Sequence, residues 1–187
     1  MRTSGPYDYK YGLSFPGEKR EGWVDELAFK LVESCYGDQS KVLYDLFHQG
    51  VNARPGLIDY LPEEYCKCEL IIVFLCKEYA DKNWCRKEWN VVQCIARDKD
   101  QRHRVMYLWL GEREEAVLQE LGLNWDEDGL AQVDSLKPDE IKSLVFQRYL
   151  KNEKDIKEAQ PKEAQLVASQ PLVLSLAQPD SVQSDGY

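Results

Sequence analysis

The amino-acid sequence predicts an α/β domain of the flavodoxin-like, three-layer kind, with a central five-stranded parallel sheet, over residues 7–150 and a linker or disordered tail over 151–187. Three observations predict it. Short β-rich runs alternate with segments of helical period, the pattern of a parallel sheet covered by helices on both faces. The run Leu70-Ile71-Ile72-Val73-Phe74-Leu75 is apolar at every position, so neither of its faces is built to meet water. Beyond Lys151 the chain passes through mixed charge into Pro, Gln, Ser and Ala, a composition that buries too little apolar surface to offset chain entropy.

In chain order, strands are expected at Tyr9–Phe15, Lys41–Asp45, Leu70–Cys76, Val105–Leu110 and Gly129–Asp134. Between them, Trp23, Leu27 and Leu31 recur at four-residue steps, and Ile58, Leu61 and Tyr65 mark a second helical stripe. The last helix opens with Pro138 at a first-turn position, with Asp139 and Glu140 at the positive end of its dipole. Ile141, Leu144, Val145 and Tyr149 share one face of it, and it is expected to close the domain near Leu150. In the tail, Leu172-Val173-Leu174 reads as part of a solvated linker.

A formal charge of -9 excludes binding that relies on a net basic surface, whether to nucleic-acid phosphates or to anionic lipid. The longest apolar run is too short to span a bilayer, and Met1 to Tyr9 lack the apolar core of a signal peptide, so a cytoplasmic protein is expected. Six cysteines at 35, 66, 68, 76, 85 and 94 lack paired C-x-x-C spacing and read as reduced packing residues. With only His48 and His103 beside them, no metal site and no cofactor are expected. His48 reads as a solvated loop residue, Asp45 as a cap at its loop's start, and Trp109 and Trp125 as packing residues.

The segment Trp84 to Ala96 carries the chemistry. On a helical wheel, Trp84, Cys85, Trp89, Val91, Val92, Ile95 and Ala96 form one apolar arc, with Glu88 in its middle. A carboxylate on such a face must be paired, protonated or open to a pocket. Glu88 also falls near the start of the helix after the central strand, and doubly wound sheets bind ligands outside the carboxyl ends of their strands, where strand order reverses. That reversal would gather Phe15-Pro16-Gly17 and the Cys76–Trp84 loop around Glu88. An apolar slot with one acid and a Trp one turn away suits a cationic aromatic ring. The first strand ends Ser14-Phe15-Pro16, without the clustered acids of a phospho-receiver, and Gly17-Glu18-Lys19-Arg20 is not a flavin phosphate loop.

Four boxes of this sequence resemble a TIR domain, bacterial in type with plant-like motifs. They are Tyr11-Gly12-Leu13-Ser14-Phe15-Pro16-Gly17-Glu18; Leu43-Tyr44-Asp45 with the loop through Arg54-Pro55-Gly56-Leu57-Ile58; the central strand running into Glu78-Tyr79-Ala80; and Trp84-Cys85-Arg86-Lys87-Glu88-Trp89. The resemblance implies an NAD+ nucleosidase of immune or anti-phage defence signalling. Its catalytic glutamate would be Glu88, and Phe15, Pro16, Gly17, Asp45, Gly56, Tyr79 and Trp84 would bind substrate. NAD+ would be consumed, not held as a cofactor, and activity would depend on self-association or on other TIR domains. A non-enzymatic TIR–TIR adaptor is the alternative reading. Pro16 stands where many plant members carry arginine, and Lys19 and Arg20 are the neighbouring cations.

Overall fold

The computed structural model describes residues 7–168, with side chains to Asp155. Five parallel strands form one sheet: β1 (Tyr9–Ser14), β2 (Val42–Leu43), β3 (Cys68–Leu75), β4 (Val105–Trp109) and β5 (Leu130–Gln132). Their spatial order is β2-β1-β3-β4-β5, all neighbours parallel, as the flavodoxin-like expectation requires. The direction of winding reverses between β1 and β3. Each strand falls within, or overlaps, the run expected for it.

The central strand β3 is buried at every position but Glu69, which explains its unbroken apolar sequence. Helices α1 (Asp25–Ser34), α2 (Gln49–Asn52), α3 (Leu57–Tyr65), α4 (Lys77–Asp81), α5 (Asn83–Arg97), α6 (Glu115–Glu120) and α7 (Pro138–Ala168) supply the outer layers. Leu27, Leu31, Leu61, Tyr65, Trp89, Val92, Ile141 and Val145 bury the stripes that the sequence period marks. Trp23 lies just ahead of α1, in a wide turn.

Gly12 fixes how closely α3 approaches β1. A Cβ there would meet Cys68 Sγ at 2.6 Å and the Tyr65 ring at 3.3 Å, so glycine is what admits the Tyr65 side chain beneath the strand. That side chain reaches the site described below.

Four expectations are corrected. The final helix does not close near Leu150; its backbone continues through Ala168, although the compact unit ends at Asn152 and a second unit begins at Glu153. The Lys, Glu, Gln and Ala that made 151–168 look like linker are also good helix formers. Leu172-Val173-Leu174 lie outside the described residues. His48 is half-buried and bonded, its Nε2 lying 2.9 Å from the Val42 carbonyl and its ring edge-on to Tyr9. Cys66 and Cys94 are exposed, while the other four cysteines are buried. Asp45 opens a 3-10 turn, but as the partner of Arg20 and not as its cap. Among the described residues no helix is long and apolar enough to cross a membrane.

Candidate active site

A cavity of about 850 Å³ opens at the carboxyl ends of β1 and β2, on the side of the sheet that α3 and α5 cover. Leu13, Phe15, Tyr65, Trp84 and Glu88 line it, together with Asp45, Leu46, Gln49, Asn52 and Leu57. The volume lies in the range of sites that enclose a nucleotide-sized ligand. Its lining is largely apolar, with a few polar groups at fixed places.

Glu88 is 4% exposed, and its carboxylate is held from three elements. The indole Nε1–H of Trp84 donates to Oε1 at 2.5 Å, one helical turn away on α5. Ser14 Oγ, at the end of β1, donates to Oε2 at 2.6 Å. Tyr65 OH, from the end of α3, lies 3.2 Å from Oε2 and 2.9 Å from the Leu13 carbonyl. Because Ser14 has one hydroxyl proton and spends it on Glu88, the Tyr79 phenol 2.7 Å away must donate to Ser14. A chain of neutral donors therefore runs Tyr79 to Ser14 to Glu88.

No Lys, Arg or His among the described residues forms an ion pair with Glu88. Burial pushes its carboxyl up to about 7; the bonds from Ser14, Trp84 and Tyr65 oppose that rise, and the Asp45 charge adds to it. Near neutral pH the group exists in both forms. The Tyr65 hydroxyl suits either one. It donates to an ionised Glu88; it accepts from a protonated one while donating to the Leu13 carbonyl. Burial, then the Glu88 charge, holds the Tyr65 and Tyr79 phenols well above their ordinary range, so both stay donors. Burial likewise pushes the Cys85 thiol up to about 12, which removes it as a nucleophile.

Arg20 also lines the cavity. Its guanidinium clasps Asp45 through two parallel bonds, one at 2.6 Å, and packs over the Phe15 and Tyr44 rings at 5.3 and 5.7 Å. Lys19 instead pairs with Glu78 at 3.2 Å. Of the two cations near Pro16, Arg20 is the one on the cavity wall.

Phe15, Gly17, Asp45, Trp84 and Glu88 are thus brought together around one space. Pro16, Gly56 and Tyr79 do not line it. Pro16 is buried, and Tyr79 is fully buried, reaching Glu88 through Ser14. Gly56 is exposed at the start of α3, where its φ of 72° turns the chain into the helix. Sequence reasoning missed Ser14 and Tyr65 as site residues and left open which of Lys19 and Arg20 is the cation at the cavity. A serine between apolar strand positions, and a tyrosine at the end of a helical stripe, were the available signals.

Among the described residues no group of three or more His, Cys, Asp or Glu is placed to hold a metal ion. The family profile described as TIR domain matches residues 13–144. The match begins inside β1, ends inside α7, and spans every element that borders the cavity. Against curated proteins the chain has no match.

Proposed function

Since the chain belongs to the TIR domain family, whose members are signalling or NAD-cleaving modules, we propose that it is an NAD+ nucleosidase acting in signal transduction. The observation that carries this reading is the Glu88 carboxylate, at the wall of a nucleotide-sized cavity and held by neutral donors, with no ion-pair partner among the described residues. An acid in that state is matched by a positive charge arriving with the ligand. The nicotinamide ring of NAD+ is such a charge, and the Trp84 indole offers it an aromatic wall.

In the reaction the bond between the ribose C1′ and the nicotinamide nitrogen breaks. Its electron pair leaves with the ring, which becomes neutral, so the leaving group needs no proton. The positive charge passes to the ribose as an oxocarbenium-like ion, and an ionised Glu88 stabilises it from a preorganised position. Water then adds at C1′ and its proton passes to Glu88 or to solvent; capture by a ring nitrogen of the adenine instead gives a cyclic product. Ser14 and Tyr65 hold Oε2 while Trp84 holds Oε1, so the carboxylate does not turn away as charge develops.

NAD+ is a substrate here, and no resident cofactor enters the reading. Phe29, Val51 and the cavity-lining Leu46 are 52%, 53% and 41% exposed. They favour association with a second copy or another TIR domain, which the adaptor reading shares. The test uses concentrated or artificially clustered protein, incubated with NAD+ while free nicotinamide is followed by chromatography. Glu88→Ala is expected to lower release by about a hundredfold or more. Equal release by the two proteins would remove the enzymatic reading and leave the adaptor.

A further inference from the structure

A second cavity, of about 580 Å³, lies between the end of α5, the turn after it, the start of β4 and the loop before β5. Its chemistry contradicts the net charge of the chain. Arg97, Lys99, Arg102 and Arg148 line it, against the carboxylates of Glu127 and Asp128. Asp128 is already engaged, accepting the Asn124 backbone N–H at 2.8 Å. Most other cations of the described residues sit on a carboxylate: Lys19 on Glu78, Arg20 on Asp45, Lys30 on Asp139, Lys82 on Glu18, Arg86 on Glu120 and Lys87 on Asp59. None of these four takes part in such a pair.

Arg148 sharpens the point. Its Nε is buried without any hydrogen-bond partner, and an Nη reaches only the Val105 carbonyl, at 3.5 Å. A buried guanidinium donor left unsatisfied is unusual in a native fold. Arg104, adjacent in sequence to His103 and Val105 of this cavity, shows the satisfied alternative: it donates to the Cys66 and Cys68 carbonyls at 2.6 to 3.1 Å. In an acidic protein, four cations that outnumber the two carboxylates beside them and make no ion pair with either mark a place where an anion completes the structure.

We propose that this second cavity binds a nucleoside diphosphate. The diphosphate would lie against Arg97, Lys99, Arg102 and the guanidinium of Arg148. The nucleoside would occupy the apolar floor made by Ala96, Met106, Tyr107, Leu123 and Ala131, with Glu127 available to its amine or hydroxyls. The site shares no lining residue with the Glu88 cavity, so it provides a separate input to the same domain.

The test is calorimetric titration of the full chain with ADP. Lys99 and Arg102 are exposed turn residues, so their replacement leaves the fold intact, which a melting curve verifies. In the double variant Lys99→Ser/Arg102→Ser, ADP affinity is expected to fall at least tenfold; Trp84→Ala, in the other cavity, is expected to change it less than twofold. Inorganic pyrophosphate, titrated in parallel, should bind more weakly than ADP but show the same sensitivity to the double variant. Absence of ADP binding, wild-type affinity in the double variant, or a loss that follows Trp84→Ala instead would overturn the assignment.

Discussion

Glu64 and Glu88 are buried to the same degree, 3% and 4% exposed, yet they are opposite kinds of acid. Glu64 lies near the end of α3 with Lys67 Nζ at 2.5 Å and the Tyr9 hydroxyl at 2.9 Å. Burial pushes its carboxyl up, and the Lys67 and Tyr9 bonds outweigh that, leaving it below the ordinary carboxylate range. Glu88 receives three hydrogen bonds against the two named for Glu64, but all three come from neutral groups, and burial wins. Burial makes an acid costly to ionise, more so for the deeper Glu88 than for Glu64, and a cation beside Glu64 meets that cost inside the protein. A cationic ring in the cavity would do for Glu88 what Lys67 does for Glu64.

The sharpest way to break this contrast is to remove each charge in turn. Glu88→Gln is expected to reduce nicotinamide release by clustered protein by about 10²- to 10³-fold, whereas Glu64→Gln should stay within about threefold of wild type. Equal losses would mean that both acids act through the fold alone.

Stability should separate the two with opposite signs. Glu88 holds its proton in the folded state up to about pH 7, while in the unfolded chain it ionises near its ordinary value. Stability is therefore full at low pH and falls as pH rises from about 4.5 to about 7, by up to roughly 3 kcal/mol above that. Glu88→Gln removes the penalty. Its amide oxygen can accept from Trp84, and its NH2 can donate to the Ser14 and Tyr65 hydroxyls, which rotate to accept. The variant should melt near the wild-type temperature at pH 5 and above it at pH 8. Glu64 has a lowered value, so its contribution is present above the unfolded value and lost as pH falls through the folded one. Glu64→Gln should cost about 1 to 2 kcal/mol at pH 7, moderated by the exposure of Lys67. Thermal melts of both variants across that range would check the signs.

The contrast also shows what was legible in the sequence. Glu88 announced itself because an acid interrupted an apolar arc, and Trp84 because it lies one turn before it; both are facts of a single helix. The strands and their order followed from alternation and from the apolar run of β3. Ser14 and Tyr65 were not legible as site residues, nor was the choice of Arg20 over Lys19, because these roles arise where the ends of β1 and α3 and the turn after β1 converge. Nothing local distinguishes the Tyr65 hydroxyl from that of any tyrosine ending a helical stripe. Tyr79 and Gly56 were assigned to the cavity wall on motif alone; one acts from behind Ser14 and the other shapes the entry to α3. The unpaired cations of the second cavity are spread from 97 to 148, and only the fold collects them.

The finest test concerns the donors themselves. If neutral hydrogen bonds are what keep Glu88 from rising further, deleting one should move its titration upward without abolishing activity. Tyr65→Phe removes a donor at 3.2 Å that is shared with the Leu13 carbonyl, so the rise of kcat/KM with pH should shift upward by about half a unit. Ser14→Ala removes an unshared donor at 2.6 Å and also strands the Tyr79 hydroxyl, so its shift should be larger, about one unit. In both variants activity at pH 9 should approach wild type, because the carboxylate is ionised there whatever donors remain. A uniform loss at every pH, with the midpoint unmoved, would show that the two hydroxyls serve packing around Glu88 and not its ionisation.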